Sequence, residues 1–183
     1  MGRYVLGITG ASGTLYAARL LEHLKALGHE VQVVLSESGR KVAAHEGHPR
    51  LDKAADKAYD NQDFFAAIAS GSYAHQGMAV IPCSMGTLGK LAHGIGDTLL
   101  TRAADVCLKE KRRLVIIPRE APMSLIHLRN QAVLAEAGAT IIPASPSFYH
   151  HPKTIEDLVD TVLSRVLDHL GVEHQVGRRW RSG

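Results

Sequence analysis

The chain has 183 residues, 45% of them hydrophobic and 5% aromatic, which suits one aliphatic-cored domain spanning residues 1–183. A net charge of +3 favours an anionic small molecule, but the basic residues are scattered, which argues against nucleic acid. With no apolar run of about 18 residues and no secretion signal, we expect no membrane association and a cytoplasmic location.

Short apolar runs alternate with helical patterns along the chain, which indicates βαβ units and a mainly parallel sheet. The expected strands are nearly continuous in apolar residues, as strands buried on both faces are, and they cover residues 4–8, 31–35, 78–81, 114–117 and 140–142. Residues 45–75 lack a clean period and are expected to form helix and loop. The fold class predicted is a Rossmann-like or flavodoxin-like three-layer α/β/α sandwich.

Two helices have clear sequence signals at their ends. The first is predicted to place Leu20, Leu24 and Leu27 on one face and to stop at the following glycine. The last is predicted to begin at Thr154 with a capping pattern and to end at the glycine that opens a C-terminal tail, residues 171–183. Both helices are expected to face the core.

The first predicted strand ends in a glycine-rich turn, Gly7-x-x-Gly10-x-x-Gly13. Small residues allow the backbone amides at the next helix start to approach an anion, and Ser12 adds a hydroxyl donor. The spacing is neither the dinucleotide pattern G-x-G-x-x-G nor a P-loop, which needs a lysine. A phosphate or flavin contact is the functional expectation, and tight packing of the turn is the structural alternative.

Polar residues also follow the next two predicted strands. Ser36 could bind the same ligand, while its neighbour Glu37 could hold a ribose hydroxyl, which leaves a dehydrogenase open. The run PCSMGTLG at residues 82–89 predicts a second wall of the crevice, with Ser84 as a plain helix N-cap as the alternative. Cys83 and Cys107 are expected to be reduced, and Cys83 to be a buried structural thiol.

After the fourth predicted strand, Arg119 and Glu120 set a cation beside a carboxylate. Open α/β sheets bind ligands at this end of their strands, so the pair suggests a phosphorylated ligand at the sheet edge. A simple ion pair between the two side chains is the structural alternative.

Histidines and the basic tail suggest two further possibilities. The eleven histidines include His45 and His48, but none falls in a recognised ligand spacing, so no metal is expected. The tail sequence RRWR at residues 178–181 could contact nucleic acid, although a solvated or docking tail is the commoner case.

Seven runs, in this order, resemble the UbiX-type flavin prenyltransferases, a branch of the flavoprotein family that also holds cysteine-peptide and phosphopantothenoylcysteine decarboxylases. They are TGASG at 9–13, CSMGTL at 83–88, RAADVCLKE at 102–110, PREAP at 118–122, IHL at 126–128, PASPSFYH at 143–150 and IEDLVD at 155–160. The resemblance covers most of the chain. It implies metal-independent transfer of a dimethylallyl group from its monophosphate to reduced FMN, at N5 and then C6. The prenylated FMN would pass to a UbiD-type decarboxylase.

Carried over residue by residue, the resemblance also implies site residues. Those expected to hold FMN are Gly10, Ala11, Ser12, Ser36, Ser84, Met85, Gly86, Thr87, Arg102 and Arg119. Those expected to hold the prenyl phosphate are Lys109, Arg119, Tyr149 and Arg165, with Phe64 and Trp180 as aromatic faces for the allyl cation. Glu120 would manage protons, with Ser12 and Lys109 as catalytic partners.

These residue types suit the implied reaction, because an allylic phosphate leaves only when its charge is neutralised, and Lys109, Arg119 and Arg165 supply fixed positive charge. Solvated positions on helices are the plain alternative for Lys109 and Arg165. The family often carries tryptophan where Phe64 stands.

Two other functional classes stay open. One is an FMN-dependent decarboxylase of the cysteine or phosphopantothenoylcysteine type, although the PASANT run of that branch is missing. The other is a non-catalytic flavin carrier. We also expect a homo-oligomer whose sites lie between subunits, because such a crevice at a strand edge favours completion by a neighbour.

Overall fold

The computed structural model describes residues 1–177 and contains one sheet of six parallel strands. They are β1 (Arg3–Ile8), β2 (Glu30–Leu35), β3 (Lys57–Tyr59), β4 (Gly77–Cys83), β5 (Arg113–Pro118) and β6 (Thr140–Ile141), in the order β3-β2-β1-β4-β5-β6. The chain winds outward from β1 in one direction and then, from β4, in the other. The switch point between β1 and β4 is where such sheets bind ligands.

Six α-helices within the described residues cover the sheet, and the predicted three-layer arrangement is confirmed. They are α1 (Thr14–Ala26), α2 (Glu37–His45), α3 (Met85–Ala92), α4 (Leu99–Lys109), α5 (Leu125–Glu136) and α6 (Ile155–Leu170). Buried residues of α1 and α6 share one core layer, and those of α3, α4 and α5 share the other. Successive residues of β1 alternate between the layers, since Leu6 belongs to the first and Val5 to the second. This burial on both faces explains the continuous apolar strands.

Residues 45–75 differ from the expectation of helix and loop alone. They contain the short edge strand β3 and two turns of 3₁₀-helix, Leu51–Ala54 and Ala67–Ala69. Two of the three residues in β3 are exposed and only Tyr59 is buried. An edge strand of this kind has no continuous apolar run, so its sequence carries no strand signal.

The predicted helix ends are largely confirmed. Thr154 Oγ1 accepts a hydrogen bond from the Asp157 amide at 3.0 Å, and Asp157 Oδ2 accepts one from the Thr154 amide at 3.1 Å. The helix ends at Gly171, whose φ is 72°. The prediction for Leu27 was wrong: α1 ends at Ala26, and Leu27 is 39% exposed because it lies in the cap beyond the last core-facing turn.

The RRWR run at residues 178–181, including Trp180, lies outside the described residues. Within residues 1–177, no helix is both long and apolar enough to cross a membrane.

Candidate active site

The loops after β1 and β4 are joined at the switch point by a buried threonine. The Thr9 hydroxyl donates to the carbonyl of Pro82 at 2.8 Å and accepts from the amide of Ser84 at 2.7 Å. Thr9 is fully buried, so this link is shielded from water. The glycine-rich turn and the Ser84 turn are therefore held side by side, as the sequence predicted for two walls of one crevice.

The glycine-rich turn also packs tightly against the start of α2. A Cβ atom on Gly10 would lie 2.5 Å from Ser38 Oγ, so only glycine allows this approach. Ser36 caps α2 by accepting from the Gly39 amide at 2.9 Å. The packing alternative for Gly10 is thus observed, and its neighbour Ala11 is also buried.

The amides at the start of α1 already bind an anion from within the chain. Glu46, at the end of α2, accepts from the Gly13 amide at 3.0 Å, the Thr14 amide at 2.7 Å and the Thr14 hydroxyl at 2.6 Å. The Glu46 carboxylate therefore occupies amides at which a ligand anion was expected. Sequence reasoning missed Glu46, since nothing local marks a partner 33 residues away.

Opposing effects set the pKa of Glu46. Partial burial raises the pKa, but hydrogen bonds from the hydroxyls of Thr14 and Ser12 and from the amides of Gly13 and Thr14 outweigh it and lower the pKa to about 2. Glu46 is therefore ionised at neutral pH. It places a fixed negative charge beside Ser12.

Arg119 crosses from the end of β5 to the glycine-rich turn. Its amide donates to the Cys83 carbonyl at 3.1 Å, and its guanidinium Nε donates to the Ser12 carbonyl at 3.1 Å. Glu120 follows, with an exposed side chain whose Oε1 accepts from the Ala121 amide at 3.1 Å. Arg119 thus places a cation against Ser12, which also hydrogen-bonds the ionised Glu46, and the solvent-accessible Glu120 carboxylate follows Arg119 in the chain.

The turn after β4 combines a helix cap with open space. Ser84 Oγ accepts from the Thr87 amide at 3.4 Å and donates to Thr87 Oγ1 at 3.1 Å, so its capping role is observed. Met85 is mostly buried, whereas a Cβ atom on Gly86 would meet no atom within 4 Å. A planar ligand could therefore approach the backbone at Gly86. Cys83 is a free buried thiol whose pKa is raised by burial, as expected of a structural cysteine.

Tyr149 and Arg165, far apart in the chain, line one cavity of about 800 Å³ between α6 and the segment after β6. Pro143 and Ser145 form part of its wall. The Ala144 amide between them donates to the Pro118 carbonyl at 3.1 Å. The cavity therefore adjoins the end of β5, where Arg119 follows.

The remaining predicted residues lie elsewhere in the chain. Lys109 is the last residue of α4 and pairs with Glu110. It precedes the first residue of β5, whereas Arg119 follows the last one. The six residues of β5, about 20 Å of strand, therefore separate Lys109 from Arg119. Arg102 donates to the Ala69 carbonyl at 3.2 Å and pairs with Asp105 at 2.7 Å. Phe64 is 44% exposed in the loop after β3. Within one chain, Lys109 therefore does not lie beside the other cations.

Across the part of the chain that the structure describes, no group of three or more histidine, cysteine, aspartate or glutamate side chains is arranged to hold a metal ion.

The strand order and the polar loops at the switch point define a doubly wound α/β protein with a crevice for a phosphorylated ligand. The flavoprotein family model matches residues 2–167. The flavin prenyltransferase UbiX of Halalkalibacterium halodurans is 47% identical over 192 aligned positions, covering 98% of this chain and 93% of the relative.

Two solved structures extend the comparison. AnUbiX (PadA1), in complex with FMN and dimethylallyl pyrophosphate, has a TM-score of 0.96 and 39% identity, covering 100% of this chain and 98% of its own. A dodecameric FMN-dependent UbiX-like decarboxylase from Escherichia coli O157:H7 has a TM-score of 0.94 and 41% identity, covering 98% and 100%. The chain belongs to the flavoprotein family, in its branch of UbiX-type flavin prenyltransferases.

Proposed function

We propose that this protein is a flavin prenyltransferase that moves a dimethylallyl group from dimethylallyl monophosphate to N5 and then C6 of reduced FMN. The observation that carries the proposal is Arg119 anchored on Ser12 beside the exposed Glu120, at the switch point of the sheet. AnUbiX, which matches the whole chain, was solved with FMN and dimethylallyl pyrophosphate. We assign the activity to a single domain spanning residues 1–183.

The crevice fits FMN as a bound substrate. Gly86 leaves open space where a flat ring could lie against the backbone, and Gly10 and Ala11 line the turn opposite. Because Glu46 fills the α1 amides, we place the flavin phosphate with the hydroxyls of Ser36, Ser84 and Thr87 and with Arg119. Met85 and Arg102 would support these walls. Reduced FMN supplies the nucleophilic N5 and C6 when it is bound.

The cavity beside α6 suits the prenyl phosphate. Tyr149 offers a hydroxyl and Arg165 a guanidinium, and Arg119 lies at the adjoining end of β5. These groups would neutralise the phosphate as it leaves, so a metal is not required. Phe64 and Trp180 are proposed as aromatic faces toward the allyl cation. Lys109 would act on the site of a neighbouring subunit.

Glu120 is the group proposed to move the proton. Ring closure at C6 releases a proton, and an exposed carboxylate at the crevice can accept it. Ser12, whose carbonyl anchors Arg119, would place its hydroxyl beside the same reaction. Glu46 is held ionised by four hydrogen-bond donors and is less suited to exchange protons near neutral pH.

An FMN-dependent decarboxylase is the second candidate, since the similar protein from Escherichia coli is named an FMN-dependent UbiX-like decarboxylase. A flavin carrier is the non-catalytic alternative. Both would bind FMN in the same crevice but would leave it without a five-carbon addition. The products therefore separate the three functions.

The test is anaerobic incubation of the protein with reduced FMN and dimethylallyl monophosphate, followed by mass spectrometry of the flavin. We expect one added five-carbon unit with the wild type and with Glu136→Gln, an exposed control on α5. Glu120→Gln should bind flavin normally and form no adduct. Unchanged turnover in Glu120→Gln would refute its proton role. Unmodified flavin with both the monophosphate and the diphosphate would favour the decarboxylase or the carrier.

Two proposals follow for partners. The product would pass to a UbiD-type decarboxylase, as the resemblance to the UbiX-type flavin prenyltransferases implies. A homo-oligomer with sites shared between subunits is supported by the dodecameric relative and by the position of Lys109.

A further inference from the structure

A buried histidine lies in the wall of the cavity that contains Tyr149 and Arg165, and the proposed function leaves it without a role. His174 follows α6, and its side chain is 2% exposed. A side chain with two polar nitrogens is costly to bury unless both nitrogens are hydrogen-bonded. Its partners therefore indicate what it does.

The hydrogen bonds of His174 define which nitrogen carries the proton. Nδ1 accepts from the Val176 amide at 3.0 Å, so the ring proton of the neutral imidazole is on Nε2. Nε2 faces Asp168 Oδ1 at 3.3 Å. His174 therefore donates to Asp168 without adding charge to the cavity.

Asp168 connects His174 to Arg165. Its second oxygen, Oδ2, accepts from Arg165 Nη1 at 2.8 Å, one helical turn away on α6. Arg165 is 60% exposed, and a pair of this kind on a helix surface contributes little by itself. Here the carboxylate is 22% exposed and is held on its other side by a buried ring. The guanidinium consequently samples fewer orientations before a phosphate binds, so less conformational entropy is lost on binding.

We propose that His174 is a positioning residue that acts through Asp168 to orient Arg165 toward the prenyl phosphate. The inference rests on the proposed function, which gives Arg165 its ligand. A donor at Nε2 is the required property of residue 174. The acceptor at Nδ1 serves only the local backbone.

Two amide substitutions separate these properties. In His174→Gln the amide nitrogen reaches the place of Nε2 and keeps the donor to Asp168. In His174→Asn the shorter side chain keeps the acceptor for the Val176 amide and loses that donor. We expect His174→Asn to raise KM for dimethylallyl monophosphate about tenfold with kcat within about twofold, and His174→Gln to stay within about threefold of wild type. FMN affinity should not change in either.

A double-mutant cycle with Arg165→Ala tests the route through Arg165. If His174 acts through Arg165, His174→Asn has no further effect on KM in the Arg165→Ala background. Additive effects, a loss of kcat at constant KM, or equal damage from Gln and Asn would overturn the proposal. Thermal unfolding monitors the fold, and His174→Phe, which keeps a ring but no donor, replaces Asn if that variant does not fold.

The same cycle is repeated by calorimetric titration of inorganic phosphate into the full-length protein. Failure of the proposed function shows as no flavin adduct from the wild type. The phosphate titration still decides whether His174 and Arg165 are coupled, because it requires no turnover. Phosphate affinity that is independent of residue 174 would refute the positioning role.

Discussion

The Glu46 carboxylate is the most constrained charge near the crevice. It satisfies the backbone amides at the start of α1, where the positive end of the helix dipole also stabilises it. A ligand phosphate at the same amides would have to displace a bound anion. Under the proposed function, the flavin phosphate would instead contact the hydroxyls and Arg119 across the crevice.

Glu46→Gln should destabilise the fold in a pH-dependent way. The folded pKa of about 2 lies below the ordinary value of 4.5, so the stabilisation is complete above about pH 4.5 and is lost as pH falls through about 2. We expect the free energy of unfolding to drop by about 1–3 kcal/mol near neutral pH. Urea unfolding from about pH 7 to pH 3 should show the difference shrinking. Glu22→Gln, on the exposed side of α1, is the control, and a difference that is constant with pH would contradict the electrostatic account.

Gly10 and Gly86 should respond differently to an added methyl group. Gly10→Ala pushes a Cβ into Ser38, and we expect a loss of about 1–3 kcal/mol in unfolding free energy, partly restored by Ser38→Gly. Gly86→Ala meets open space, so stability should hold while FMN affinity falls if the flavin lies there. Thermal unfolding and fluorescence titration of FMN measure the two effects. Undiminished FMN affinity in Gly86→Ala would remove this wall from the proposed site.

At the scale of elements, three helices begin with the same device. Thr98, Ser124 and Thr154 each cap a helix, and the side chain three residues on returns a hydrogen bond to the cap amide. Two of the helices capped in this way are α4 and α6. Helix α4 packs in one core layer, and α6 lines the proposed phosphate cavity. The caps therefore define where these site-bearing helices begin.

Thr154→Ala should lower the free energy of unfolding by about 1 kcal/mol, because the Asp157 amide loses its acceptor. In a chain of this size the melting temperature should fall by about 2–4 °C. Lys153→Ala, an exposed change one residue earlier, should leave it nearly unchanged. Calorimetry of both variants provides the comparison, and equal shifts would show that the cap is not the cause.

At the scale of the whole molecule, the position of Lys109 matters most. It lies at the edge of the sheet opposite Arg119, so a role for both in one site needs two copies of the chain. The dodecameric relative shows that this fold assembles in another protein of the family. Under the proposed function, an assembly of two or more copies would be the active form.

Mixed assemblies test whether sites are shared. Lys109→Ala and Tyr149→Phe should each lose most adduct formation, because each removes a proposed phosphate ligand. Co-expressed, they should regain activity that neither has alone, since some sites then combine an intact Lys109 with an intact Tyr149 from different copies. Each variant alone is the control. A monomeric mass by light scattering with full activity, or no recovery on mixing, would contradict shared sites.

Much of the fold was predictable from local patterns. Apolar runs identified five of six strands, and the cap at Thr154 and the turn glycines identified helix ends, because burial on both faces and helix ends leave periodic or positional signals. The edge strand β3 was missed because its exposed residues leave no such signal. The family runs likewise identified the branch of the flavoprotein family.

By itself, the sequence determined the fold class, the family and the residue types at each strand end, because these depend on neighbouring positions. Only the tertiary structure decided that Glu46 fills the α1 amides, that Tyr149 and Arg165 share a cavity, and that Lys109 lies at the far edge. These pairings follow from strand order and helix direction, which bring together residues that no local pattern connects.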